Sequence, residues 1–177
     1  MRIVGLDLSL TATGVAIADE ATVTVRTVRS RGAKGDDLLS RGARLELLTS
    51  SICGLCRGAD LIVVEQPAFS RTTGHHHDRS GLWWLVVAQL QAMGIPVAEV
   101  TPSGLKRYVT GRGNADKDTV LLAVARRFGD VGVTNNNESD ALALCAMGAD
   151  RFGVPLADMP ESHRTSLDAV RWPEVAA

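Results

Sequence analysis

"RIVGLDLSLTATGVAIADEATVTVRTVRS" fills residues 2 to 30. From Ile3 to Leu8 it is apolar almost without a break, the pattern of a strand covered on both faces. "TGVAIADE" and "ATVTVRTVRS" follow at hairpin spacing, with Asp19 and Glu20 at the turn. Three antiparallel strands are therefore expected to open the chain. One residue does not belong in such a strand. Asp7 stands near the end of the first run, where an uncompensated carboxylate costs several kcal/mol.

Working outward, "GDDLLSRGARLELLTSSICGLCRG" places Leu38, Leu39, Leu45, Leu48, Ile52 and Leu55 at helical period, with Asp36 or Asp37 as N-cap. "ADLIVVEQP" reads as a second buried strand, stopped by Pro67 and ending on another acid, Glu65. Residues 68 to 81 read as a polar, glycine-containing loop holding Phe69 and the run His75, His76 and His77. The three histidines read as a solvated loop or a pH-sensitive phosphate contact, since consecutive histidines do not suit zinc.

"LWWLVVAQLQAM", Leu82 to Met93, predicts a helix apolar on nearly every face, and a second subunit against its outer side is the economical cover. "IPVAEVTP" reads as a short strand, and "SGLKRYVTG" and "ADKDTVLLAVARRFG" as helices. "NNNESDALALCAMGA", residues 135 to 149, reads as a buried helix led in by three amides and the acids Glu138 and Asp140. This order predicts an α/β fold in which helices cover a mixed sheet. A main domain over residues 1–152 is expected, followed by an appendage over 153–177 with one short helix and Trp172 as its docking residue.

A hydrophobic fraction of 45% over 177 residues suits one real core, and a net charge of −1 excludes an overall basic field, so a polyanionic partner must be held by a local patch. No apolar stretch reaches membrane-spanning length and the N-terminus lacks a signal-peptide pattern; no membrane association and a cytoplasmic location are expected. Cys53, Cys56 and Cys145 form no disulfide framework, and "CGLC" reads as small packing residues at a helix end.

Asp7 and Glu65 each end a hydrophobic strand, and in an open α/β sheet ligands gather at such ends. If the strands are neighbours, the two carboxylates share one crevice. Asp140, in the first turn of a buried helix, supplies a third oxygen. An all-oxygen set points to Mg2+, with Mn2+ as substitute, rather than zinc. Two such ions about 4 Å apart suit phosphodiester hydrolysis. Each acid also has a plainer reading. Asp7 could hydrogen-bond into the "SLTATG" turn, Glu65 could pair with an arginine, and an acid at a helix start gains about 0.3 to 1 kcal/mol from the dipole alone.

"GLDLSLTATGVA" around Asp7, "VVEQP" around Glu65, "LKRYVTGRGNADKDTV" and "SDALAL" around Asp140 together resemble the RuvC-type Holliday junction resolvases of the ribonuclease H-like superfamily, over roughly residues 3 to 150. The resemblance implies a mixed five-stranded sheet, three antiparallel strands followed by parallel ones, flanked by helices. It implies a homodimeric, metal-dependent endonuclease that nicks four-way or otherwise branched DNA symmetrically. Asp7, Glu65 and Asp140 match three of the family's four acids. The fourth position, three residues before Asp140, is Asn137 here, with Glu138 one place later.

Glu138 and Asp140, two apart, point about 200° from each other in a regular helix. Glu138 therefore reaches the site only if the helix starts after it. Its carboxylate makes it the favoured substitute ligand, with the Asn137 carbonyl oxygen as the alternative. The resemblance also nominates Lys106 and Lys117 at the DNA or the scissile phosphate, Arg107 and Arg112 in the same patch, and Phe69 as the aromatic presented to the junction. Related readings are a broader flap or fork nuclease, an RNA-processing member, or a scaffold with weakened catalysis. An actin-like ATPase would need a second Asp-Gly phosphate loop, which the sequence lacks.

Overall fold

A computed structural model describes residues 1–20, 22–67 and 76–175. Five strands form one sheet in the order β3-β2-β1-β4-β5: β1 Arg2–Asp7, β2 Ala12–Asp19, β3 Thr22–Arg29, β4 Leu61–Glu65 and β5 Val97–Val100. β1 runs antiparallel to β2, which pairs antiparallel with β3, and parallel to β4, which pairs parallel with β5. The strands expected to be covered on both faces, β1 and β4, are both interior, β1 at the centre of the order and β4 beside it.

Side chains alternate across the sheet as the strand period requires. Val4, Leu6, Ile62 and Val64 join a core under α1 (Leu38–Leu55) and α2 (His76–Ala92), together with Ile52, Leu82 and Val86. Ile3, Leu61 and Val63 face the other way, into a core built with α3 (Pro102–Thr110), α4 (Lys117–Arg127) and α5 (Asn136–Arg151). α5 is apolar almost all round because it is buried almost all round, from Ala141 to Asp150 without interruption. It lies against bare backbone: a Cβ added at Gly5 would land on the Ala141 carbonyl oxygen, and one at Gly14 on that of Asn137.

Local signals fix the helix ends. Asp37, one of the two expected caps, accepts from the Ser40 N–H at 2.8 Å, Thr101 caps α3, and Asp116 accepts from Thr119 N–H at 2.7 Å at the start of α4. α2 begins earlier than the apolar pattern suggests. The polar stretch 76–81, read as loop, is helical, with Asp78 in the first turn where the dipole favours an acid. Beyond α5, α6 (Glu161–Arg164) and a 3-10 turn at Thr165–Ala169 replace the single short helix expected, and Met159 and Leu167 bury themselves in the α3–α5 core. Trp172 docks as expected, donating to the Leu167 carbonyl at 2.9 Å and meeting Phe152 edge-on. Cys53, Cys56 and Cys145 are buried free thiols, pushed up by burial to about 11, 12 and 12. Among the described residues no helix is long and apolar enough to cross a membrane.

Candidate active site

β1 and β4 pair in parallel with Leu6 opposite Val64, so the next residues, Asp7 and Glu65, end the two strands side by side. Both line a cleft of about 420 Å³ at that end of the sheet, with Asp140, Asn137, Lys106 and Lys117 also on its walls. Each acid arrives on a different element. The central hydrophobic strands deliver Asp7 and Glu65, and α5 delivers Asp140 from its second turn rather than its first. Cap duty falls to Asn135, whose Oδ1 accepts from the Glu138 N–H at 3.0 Å.

The plainer readings of the acids do not hold. The turn after Asp7 closes on itself: Thr13 Oγ1 accepts from the Ser9 N–H at 3.0 Å and donates to the Ser9 carbonyl at 2.9 Å. Among the described residues no hydrogen bond or salt bridge takes up the side chain of Asp7, Glu65 or Asp140. Burial, with the charge of Asp140 beside it, raises Asp7 to about 7 despite Lys117. Burial and the charges of Asp7 and Asp140 raise Glu65 to about 8, while Lys117 and Lys106 oppose the rise. Burial raises Asp140 to about 6 against the same two lysines. Three acids that repel one another and resist ionisation constitute a site short of positive charge.

The oxygen donors lining the cleft are carboxylates, amides and the Ser9 hydroxyl, with Lys106, Lys117 and Arg79 as cations, an all-oxygen set that fits a hard divalent ion. Among the described residues no three His, Cys, Asp or Glu side chains are gathered closely enough to ligate one ion as they stand. The acids share the cleft without closing on a single point.

Asn137 and Glu138 part company. α5 starts at Asn136, ahead of both, so the condition under which Glu138 could turn toward the cleft is not met. Asn137 lines the cleft and Glu138 does not. The Glu138 carboxylate instead accepts from Thr27 Oγ1 at 2.6 Å and from the backbone N–H and hydroxyl of Thr134 at 2.9 and 2.8 Å. Burial works to raise its pKa, but these hydrogen bonds outweigh it and hold the acid below its usual range. Lys106 lines the cleft from α3, and Lys117, exposed, does so as the first residue of α4. Arg107 and Arg112 are exposed nearby and do not line it. Phe69 and His75 lie outside the described residues, while His76 and His77 open α2, exposed.

Trp83 is a site residue that the apolar pattern of α2 hid. It lines the cleft and its indole N–H donates to the Glu65 carbonyl at 3.0 Å, fixing the end of β4. The signal was present in the Trp-Trp pair, since a half-buried indole needs a partner for its N–H. Arg79, from the stretch read as loop, lines the same cleft.

No protein-family model matches the chain. A crossover junction endodeoxyribonuclease RuvC of Renibacterium salmoninarum is 34% identical, the match covering 86% of this chain and 81% of that protein. The namesake of Clavibacter michiganensis is 31% identical over 96% of this chain and 88% of its own length. The chain belongs to the RuvC family. The fold agrees: Thermus thermophilus RuvC in complex with Holliday junction substrate superposes with a TM-score of 0.67, covering 90% of this chain and 99% of that one at 17% identity. An amide, Asn137, occupies the cleft-facing position three before Asp140, and the neighbouring acid faces away.

Proposed function

We propose that this chain is a crossover junction endodeoxyribonuclease of the cytoplasm that nicks four-way DNA junctions symmetrically, as a homodimer, with Mg2+ as its physiological metal and Mn2+ able to substitute. The observation that carries the reading is the convergence of Asp7, Glu65 and Asp140 on one cleft, with no hydrogen bond or salt bridge from the described residues to neutralise them.

Asp7, Glu65 and Asp140 would hold the metal, with the Asn137 carbonyl rather than Glu138 in the fourth position. A pair of divalent ions bound there would activate a water and stabilise the leaving oxygen. Lys106 and Lys117 hold the scissile phosphate at the acids. Lys117 has the further advantage of opening α4, where backbone N–H groups also face an anion. Arg107 and Arg112 extend the grip along the DNA backbone, which a chain of net charge −1 must supply locally. Phe69 is the aromatic proposed to stack at the junction centre. Residues 1–152 carry the chemistry, residues 153–177 append to it, and the dimer forms on α2, which exposes Trp84 and Leu85.

The experiment is cleavage of a labelled four-way junction, beside flap, fork and RNA-hybrid substrates, with and without Mg2+. Wild type should cut the junction in preference to the others and only with metal. Asp140→Asn should bind the junction without cutting it, whereas Glu138→Gln should still cut and lose roughly 1–3 kcal/mol of stability as its buried hydrogen bonds go. A wild-type protein that binds and never cuts would show that Asn137 has made the chain a scaffold. Loss of cutting in a folded Glu138→Gln protein would return that acid to the site.

A further inference from the structure

Three turns beyond the cleft, α5 buries another acid. The Asp150 side chain is only 1% exposed. Its Oδ2 accepts from the Tyr108 hydroxyl at 3.1 Å, and its Oδ1 faces Arg164 Nη2 at 2.6 Å, an ion pair lying off the hydrogen-bond axis. A buried carboxylate stripped of its counter-charge is strongly destabilising, so Asp150 binds the docking of α6 to the position of α3.

The residue beside Arg164 takes hold of the same helix elsewhere. His163 Nδ1 donates to the Tyr108 carbonyl at 2.9 Å, and its ring lies beneath Gly111, where an added Cβ would come within 2.8 Å of Nε2. Gly111 is the left-handed C-cap of α3, with φ 77°. From it the chain runs through residues 112–116 straight into Lys117. Tyr108 stands two residues after Lys106. Two adjacent residues of α6 thus fix the body of α3, which bears one cleft lysine, and the root of the loop that leads to the other.

We propose that His163 and Arg164 are positioning residues: they clamp α3 and the 111–116 loop so that Lys106 and Lys117 stand over the carboxylate cleft. The clamp rests on the nuclease reading above, and it gives the C-terminal segment a part in gripping DNA without touching DNA.

The test uses the full chain with His163→Ala, Arg164→Ala and Arg164→Lys. It measures affinity for a synthetic four-way junction at several salt concentrations, single-turnover cleavage with Mg2+, Mg2+ affinity by calorimetry, and folding by circular dichroism at the assay temperature. His163→Ala and Arg164→Ala should weaken junction binding and slow cleavage by roughly ten-fold. Mg2+ affinity and the salt slope should stay as in wild type, and Arg164→Lys should recover most of the loss.

Folded variants that bind and cut like wild type would reduce the clamp to a stability device and overturn the proposal. So would a salt slope lowered by about one in Arg164→Ala, the mark of a direct phosphate contact. Should Arg164→Ala fail to fold, His163→Ala, which strands no buried charge, decides the matter. A wild type that neither binds nor cuts the junction would instead sink the nuclease reading and take the clamp with it. That result is distinct from wild-type activity left unchanged by the variants.

Discussion

The acids of the cleft pull stability and chemistry in opposite directions. An acid whose folded pKa lies above its unfolded value keeps its proton longer in the native state. Stability is then highest below the ordinary carboxylate range and falls as pH rises through the folded values. With Asp7 near 7, Glu65 near 8 and Asp140 near 6, the metal-free protein should lose stability between about pH 4 and 8. Asp7→Asn should relieve part of this. At about 1.4 kcal/mol per pKa unit, discounted for solvent access to the cleft, a gain of about 2 kcal/mol at pH 8 is expected. That corresponds to a Tm increase of roughly 4–8 °C. Thermal melts from pH 5 to 8.5 check this. Mg2+ should raise the Tm of wild type more at pH 8 than at pH 5.5 and do little for Asp7→Asn. A variant no more stable than wild type at pH 8 would mean that the acids do not burden one another.

At the scale of elements, the spacing of the site depends on where α5 rests. A Cβ at Gly14 would collide with the Asn137 carbonyl oxygen; the Cβ position is fixed by the β2 backbone and the oxygen belongs to the α5 backbone, so neither side can yield by changing rotamer. Gly14→Ala should lift the start of α5 from β2, cost about 2–4 kcal/mol, and weaken Mg2+ binding even in molecules that remain folded. Chemical denaturation and calorimetry on one sample separate the two effects. Unchanged metal affinity would show that Asp140 is held from elsewhere.

These elements also show what a linear reading can reach. That Asp7 and Glu65 each end a buried strand was legible from two apolar runs that stop on an acid, whereas the pairing of those strands entered only as a condition and is supplied by the sheet. The fate of Glu138 was not legible, because it turns on whether α5 starts at Asn136 or three residues later, at Ser139, and three amides cap equally well at several of those positions. Only Thr27 and Thr134, 111 and 4 residues away, reveal where that carboxylate goes. The start of α2 was hidden for a related reason, since residues 76–81 have no apolar period to declare a helix.

For the whole molecule, the two layers over the sheet divide the labour. α3, α4 and α5 bring Lys106, Lys117 and Asp140 to the strand-end acids, with Arg79 and Trp83 of α2 closing the cleft, while the outer faces of α1 and α2 turn Leu47, Trp84 and Leu85 outward at 70%, 65% and 45% exposure. Trp84→Glu on that second layer should give monomers by light scattering, with little effect on folding because the side chain faces solvent. Such monomers should leave single nicks in a junction where the dimer makes two. A Trp84→Glu protein that stays dimeric would place the subunit contact on another face.

The resting of α5 on the unadorned main chain of two strands bears on how such a protein can change over generations. Apolar side chains elsewhere can be exchanged to make the molecule sturdier or looser while the gap between the carboxylates stays as it is. Endurance and reactivity are therefore open to adjustment at separate places in the chain, so long as two glycines are left alone.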